Sequence, residues 1–236
     1  MAREKASYSI QSVERALCLL EILGEEGDEL RIVRLSERLD MDRARVFRLL
    51  ATFEQRGYVE RVGTSGRYRL GLPVFEMGQK ILQRMSLLRK AKPVMERLAR
   101  QCDEAVYLAI PHGEEILMLD MVDTTQKVGT VSLVGQRFPL ADTAAGRVVI
   151  EGRRVCARGG YGELAAWREV RDRGALGEGV SSLAVPVLDA RGEVQASLCL
   201  IGPDFRFEGA RLGEELLPLL REAAAVISSR LGFINH

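Results

Sequence analysis

A chain of 236 residues, 47% apolar and 28% charged, can build one large core or two smaller ones, which excludes a disordered protein. No apolar run approaches the roughly 18–20 residues that span a bilayer, and the start Met-Ala-Arg-Glu-Lys-Ala-Ser-Tyr-Ser carries no apolar signal, so a cytoplasmic, non-membrane protein is expected. Cys18, Cys102, Cys156 and Cys199 are scattered and only His112 and His236 supply imidazoles, so no zinc clip, disulfide framework, cofactor or catalytic set is expected.

The net charge of +1 hides an uneven distribution. Residues 1–30 carry three bases against seven acids, whereas residues 31–70 carry ten arginines against five acids. Every base in the second stretch is Arg, whose planar donor fork suits phosphates and guanine edges.

In chain order, Ser12–Gly24 reads as a helix with Val13, Ala16, Leu17, Leu20 and Leu23 at helical spacing. Cys18, Leu19 and Ile22 add more apolar surface than one core needs, which suggests contact with another subunit. A short helix over Ile32–Leu39 follows, and Asp42 is placed to cap a third from Arg43 to Arg56 that stops at Gly57. Val46, Leu49, Leu50 and Phe53 fall on one side of that helix; Ala44, Arg45, Arg48, Ala51, Thr52 and Gln55 fall on the other. Tyr58–Val62 and Arg67–Leu70, around Gly63-Thr-Ser-Gly66, predict a hairpin with Arg67 and Arg69 on one face. Three helices and a basic wing predict a winged helix-turn-helix for double-stranded DNA, with Arg43, Ala44, Arg45, Arg48, Thr52 and Arg67 as its contact residues.

Pro73 to about Ser86 reads as a further helix bearing Val74, Met77, Ile81, Leu82 and Met85, and Leu88–Cys102 as an amphipathic one. Strands are predicted at Ala105–Ile110, Ile116–Val122, Val128–Val134, Val180–Leu188 and Val194–Ile201, with a closing helix over Gly209–Leu231. Strand pairs flanked by helices imply an α+β domain with an antiparallel sheet. Thr143-Ala-Ala-Gly146 opens a helix whose N-terminal N–H groups suit a ligand carboxylate, although Asp142 stands where it could cap them instead.

The chain resembles the IclR family of bacterial transcription regulators. The matching stretches are Ser12-Val-Glu-Arg-Ala-Leu17, Leu35-Ser-Glu-Arg-Leu39, Arg48-Leu-Leu-Ala-Thr52, Arg56-Gly-Tyr-Val-Glu60 and Arg67-Tyr-Arg-Leu-Gly71. They resume at Pro139-Leu-Ala-Asp-Thr-Ala-Ala-Gly146, Glu178-Gly-Val180, Leu183-Ala-Val-Pro-Val187 and Gly202-Pro203. The resemblance implies a winged helix-turn-helix domain at 1–72, a linker helix at 73–87 and a GAF-like effector-binding and oligomerisation domain at 88–236. It also implies a homodimer or homotetramer on a pseudo-palindromic operator, with repression modulated by a small metabolite such as an organic acid. The implied effector residues are Thr130, Thr143, Ala144, Ala145, Gly146, Ser182, Cys199 and Ile201. Two departures stand out: the recognition helix reads Arg43-Ala-Arg-Val-Phe-Arg48 where the family often has Lys-Ser-Thr-Val-His-Arg, and the segment between Gly146 and Gly179 is short. Other readings remain: a DNA-binding regulator under redox control through Cys102 or Cys199, or one without a ligand, and an α+β enzyme with a helical partner-binding module.

Overall fold

The computed structural model describes residues 9–27, 29–157 and 169–234, and the chain divides into two units, one up to Arg84 and one from Met85 onward. In the first unit, α1 (Gln11–Glu25), α2 (Ile32–Leu39) and α3 (Arg43–Gln55) pack beside a small antiparallel sheet. Its strands β1 (Leu30–Arg31), β2 (Val59–Val62) and β3 (Arg67–Leu70) run in the order β1-β3-β2, and α4 (Leu72–Arg84) follows. The two-residue β1, which pairs Leu30 with Tyr68, was not expected. Leu19, Leu35, Leu39, Val46, Leu50, Val59 and Tyr68 form the core. Fully burying each such large apolar side chain favours folding by about 1.5–3 kcal/mol.

Two backbone features fix this unit. Asp40 takes the left-handed conformation, φ 49°, and ends α2 while the Met41 N–H returns to the Ser36 carbonyl, which turns the chain into α3. A Cβ at Gly71 would stand 1.9 Å from the Gly57 oxygen, so only glycine lets the wing close against the turn after α3. The inward face of α1 differs from expectation. Leu19, Ile22 and Leu23 are buried, whereas Val13 and Leu17 are exposed, because α2 and β3 meet the helix on the side of Leu19.

The second unit is a six-stranded antiparallel sheet in the order β6-β5-β4-β9-β8-β7, with helices on both faces, the GAF-like arrangement expected. Its strands are β4 (Ala105–His112), β5 (Glu115–Val122), β6 (Arg137–Pro139), β7 (Val170–Arg173), β8 (Val180–Leu188) and β9 (Val194–Pro203). One face packs on α5 (Ser86–Cys102) and α7 (Leu217–Leu231), through Val94, Met95, Leu98, Leu198, Leu200, Leu220 and Ile227. The other packs on α6 (Ala144–Ala157), through Tyr107, Met118, Val148, Val149, Cys199 and Ile201. The period of two along β9 divides its side chains between these cores. A π-helical turn, Arg211–Leu216, leads into α7, whose far end lies beside α5, with the Arg230 guanidinium donating to the Lys90 carbonyl at 3.1 Å.

Val128–Val134 is not a strand. The free edge of β5 is already taken by β6 and by the turn before it, where Met118 exchanges backbone bonds with Gln136 and Gly135. The segment 123–134 instead crosses as a loop tethered by side chains. The Asp103 carboxylate accepts from Thr124, Thr125 and Gln126, bonds that hold it below the usual carboxylate range, the Thr125 hydroxyl contributing most. Beneath the loop, Glu104 is fully buried and receives Arg206 Nε at 2.8 Å and Arg211 Nη1 at 2.9 Å. Arg206 also donates to the Val128 carbonyl and Arg211 to that of Cys102.

Candidate functional site

The face of α3 away from the core is built as its sequence periodicity predicts. Asp42 caps the helix, its Oδ1 accepting from the Arg45 N–H at 2.9 Å, and Val46 and Leu50 anchor it to the core. Arg43, Ala44, Arg45, Arg48 and Thr52 are all exposed. Arg45 leans on Asp42, Nε to Oδ2 3.0 Å, an exposed pair of the kind worth at most about 1 kcal/mol and so easily given up for a phosphate or a base. The Thr52 hydroxyl donates back to the Arg48 carbonyl at 2.8 Å, leaving its lone pairs outward as acceptors. Arg45 and Arg48 share with Arg15, Gln11, Ser12 and Asp40 an open hollow of about 350 Å³. Arg15, which donates to the Leu39 carbonyl, was missed as a member of this surface because it lies on a different helix. On the wing, Arg69 is held by Glu60 through two bonds of 3.1 and 2.9 Å, while Arg67 stands a looser 3.9 Å from Glu29 and is the freer cation.

In the second unit, the start of α6 lies over β8 and β9, and a residue that the sequence did not single out occupies it. Asp172 on β7 points its Oδ2 at the Ala144 N–H, 2.5 Å, and at the Ser182 hydroxyl, 2.7 Å. The Arg147 guanidinium stands 4.0 Å away and donates to the Arg171 carbonyl. The second oxygen, Asp172 Oδ1, is buried with no hydrogen-bond partner among the described residues. Thr143 is the local cap, its Oγ1 accepting from the Gly146 N–H at 3.1 Å. Asp142 is exposed, and no hydrogen bond joins its carboxylate to the helix among the described residues. The capping expected of Asp142 thus falls to Thr143 and to Asp172, twenty-eight residues beyond Ala144 and paired with Ser182 across the β7–β8 ladder.

Of the predicted effector residues, Ala144 and Ser182 bond to this carboxylate, and Thr143 caps the same helix start. Ala145 is buried beside them, its carbonyl accepting from Ser197. Gly146 is needed for contact, since a Cβ there would lie 2.2 Å from the Leu140 oxygen. Cys199 and Ile201 line the sheet below, paired with Ala184 and Ser182. Thr130 sits apart in the loop, at the phenol of Tyr107, one strand beyond Cys199.

Burial pushes the Cys102 thiol up to about 11, and burial reinforced by the charge of Asp172 pushes Cys199 up further. Both shifts disfavour the thiolate that redox control requires. Alkylation of the native protein at neutral pH is expected to leave both unlabelled in a peptide map and to label both after denaturation; rapid native labelling of either would revive the redox reading. The side chain of Cys156 and all of His236 lie outside the described residues. His112 is exposed at the end of β4, and no group of three or more His, Cys, Asp or Glu could hold a metal among the described residues.

A winged helix-turn-helix bearing an arginine-rich third helix, followed by a GAF-like domain, defines a DNA-binding transcription regulator and not an enzyme. The comparisons agree. The family described as the IclR helix-turn-helix domain matches residues 12–63, and that described as bacterial transcriptional regulator IclR C-terminal matches residues 79–154. The HTH-type transcriptional regulator KdgR of Escherichia coli is 32% identical over 99% of this chain and 97% of its own length. The glycerol operon regulatory protein of Streptomyces griseus is 33% identical, over 95% and 97%. An IclR homolog from Microbacterium hydrocarbonoxydans, solved with 4-hydroxybenzoate, shares the fold at a TM-score of 0.76 and 21% identity, over 93% of this chain and 98% of that one. The chain belongs to the IclR family.

Proposed function

We propose that the protein is a cytoplasmic repressor that binds a pseudo-palindromic operator as a homodimer and whose affinity responds to a small molecule held at the start of α6. The observation that carries the first half is the outward face of α3, where Arg43, Ala44, Arg45, Arg48 and Thr52 stand exposed on a capped helix, with Arg67 on the adjoining wing. Such a helix reads base edges in the major groove while the wing holds phosphate. A two-fold dimer supplies two such helices, and exposed apolar residues on α1 (Val13, Leu17) and α4 (Leu72, Phe75, Met77, Ile81) offer a second copy its contact surface. In this reading α4 is the linker between DNA-binding and effector domains.

The effector half rests on Asp172. Its carboxylate already occupies the N-terminus of α6, so a simple organic acid would bring a second negative charge to the same place. A hydroxy acid fits better: its hydroxyl donates to Asp172 Oδ1, which has no partner among the described residues, and its carboxylate turns to the half-exposed Arg147. Ala144 and Ser182 touch this carboxylate, Thr143 caps the same helix start, Ala145, Gly146, Cys199 and Ile201 lie buried nearby, and Thr130 stands farther off in the loop. That a family member was solved with 4-hydroxybenzoate, itself a hydroxy acid, supports this class. The test is a panel of hydroxy acids and their deoxy counterparts, followed by thermal melting and by operator affinity. Hydroxy acids are expected to raise the melting point and change operator affinity, deoxy acids to do less, and Asp172→Ala to abolish the difference. A panel that moves neither quantity would end the ligand proposal while leaving the DNA-binding one intact.

A further inference from the structure

Phe47 is the large side chain of α3 that neither its core nor its charged face accounts for. It is 53% exposed and absent from the packing around Val46 and Leu50. Its neighbours one turn before and after, Ala44 and Ala51, are exposed as well, so positions i, i+3 and i+7 make an apolar strip along the helix. Beside the strip stand Arg43 and Arg48, neither paired with a carboxylate among the described residues, and Arg45, paired only with Asp42. An apolar strip edged by uncompensated cations fits a polyanion that itself shows an apolar feature. The major groove offers one such feature, the 5-methyl group of thymine.

From this we propose that Phe47 is a specificity-determining residue that reads a thymine methyl in each operator half-site, with Ala44 and Ala51 leaving room for the ring to reach it. The proposal rests on α3 entering the groove. It adds a reading of A·T pairs to one otherwise made of guanidinium groups, which favour guanine. Cytosine lacks the methyl group, so the contact discriminates T·A from C·G at one position. It leaves the other positions to Arg45, Arg48 and Thr52.

The test starts from the duplex that the full-length protein selects out of a random pool. Each thymine of that duplex is exchanged in turn for deoxyuridine, which removes the methyl and nothing else. One exchange per half-site is expected to weaken wild-type binding roughly three- to fivefold, the scale of one buried methyl group. Phe47→Ala is expected to bind more weakly overall and to show no penalty at that position, and Phe47→Leu to keep part of it. Because Phe47 lies outside the core, both variants are expected to melt at the wild-type temperature. A wild-type protein indifferent to every exchange, or a penalty that persists in Phe47→Ala, overturns the proposal. Arg45→Ala and Arg48→Ala in the same series separate the two failures. If they lose selectivity while uracil has no effect, Phe47 alone is misassigned; if they bind as wild type does, α3 is not in the groove and both readings fall.

Discussion

Alanine at Arg45 or at Arg48 is expected to weaken operator binding by roughly 5- to 150-fold and to relax the base preference at the positions each side chain reads, the effect of losing a contact worth about 1–3 kcal/mol. Both guanidinium groups lie on the exposed side of α3, and neither substitution disturbs Val46 or Leu50, so the fold is expected to survive intact. Arg67→Ala is the contrasting variant. A wing cation held only at 3.9 Å from Glu29 is free to meet phosphate, and its loss is expected to weaken all duplexes alike and lower the salt dependence by about one counterion. Titrations of specific and scrambled duplexes over a range of salt separate the two patterns. Recognition-helix variants with wild-type affinity and selectivity would show that α3 does not read bases.

The second large effect concerns the stability of the second unit. Glu104→Ala leaves the Arg206 guanidinium, one-tenth exposed, without its carboxylate, and removes one partner from Arg211. Breaking a buried ion pair from one side costs about 3–5 kcal/mol, a large part of what a domain of this size has to spare. Equilibrium unfolding in urea is expected to show that loss, and Glu104→Gln to recover some of it by keeping the hydrogen bonds. A loss below about 1 kcal/mol would mean that water reaches the cluster and compensates the arginines.

The DNA-binding unit was legible in the sequence almost to the residue. Its elements rest on local rules: Asp42 as a cap, Gly57 as a stop, and the 3.6 period that puts Val46 and Leu50 inside. The bounds of α2 came out as Ile32–Leu39, as read. What escaped reading depends on partners far along the chain. β7, Val-Arg-Asp-Arg, looks like a loop by composition and is a strand because β8 accepts it as an edge. Val128–Val134 alternates like a strand and is none, because β6 already holds the edge of β5. Asp172 was invisible for the same reason. Nothing local marks it, and only the β7–β8 register carries it to the first turn of α6. Of the expected residues, Ala144 and Ser182 meet at a carboxylate that the sequence did not single out.

The side-by-side packing of α5 and α7 means that the second unit draws its whole core from residues after Ser86, with its first and last helices completing one another. A recombination event just upstream of Ser86 then transfers the third helix and the wing together and severs no contact within the described core of the second unit. The described cores of the two units are thereby separable cassettes, each carried whole by its own stretch of chain.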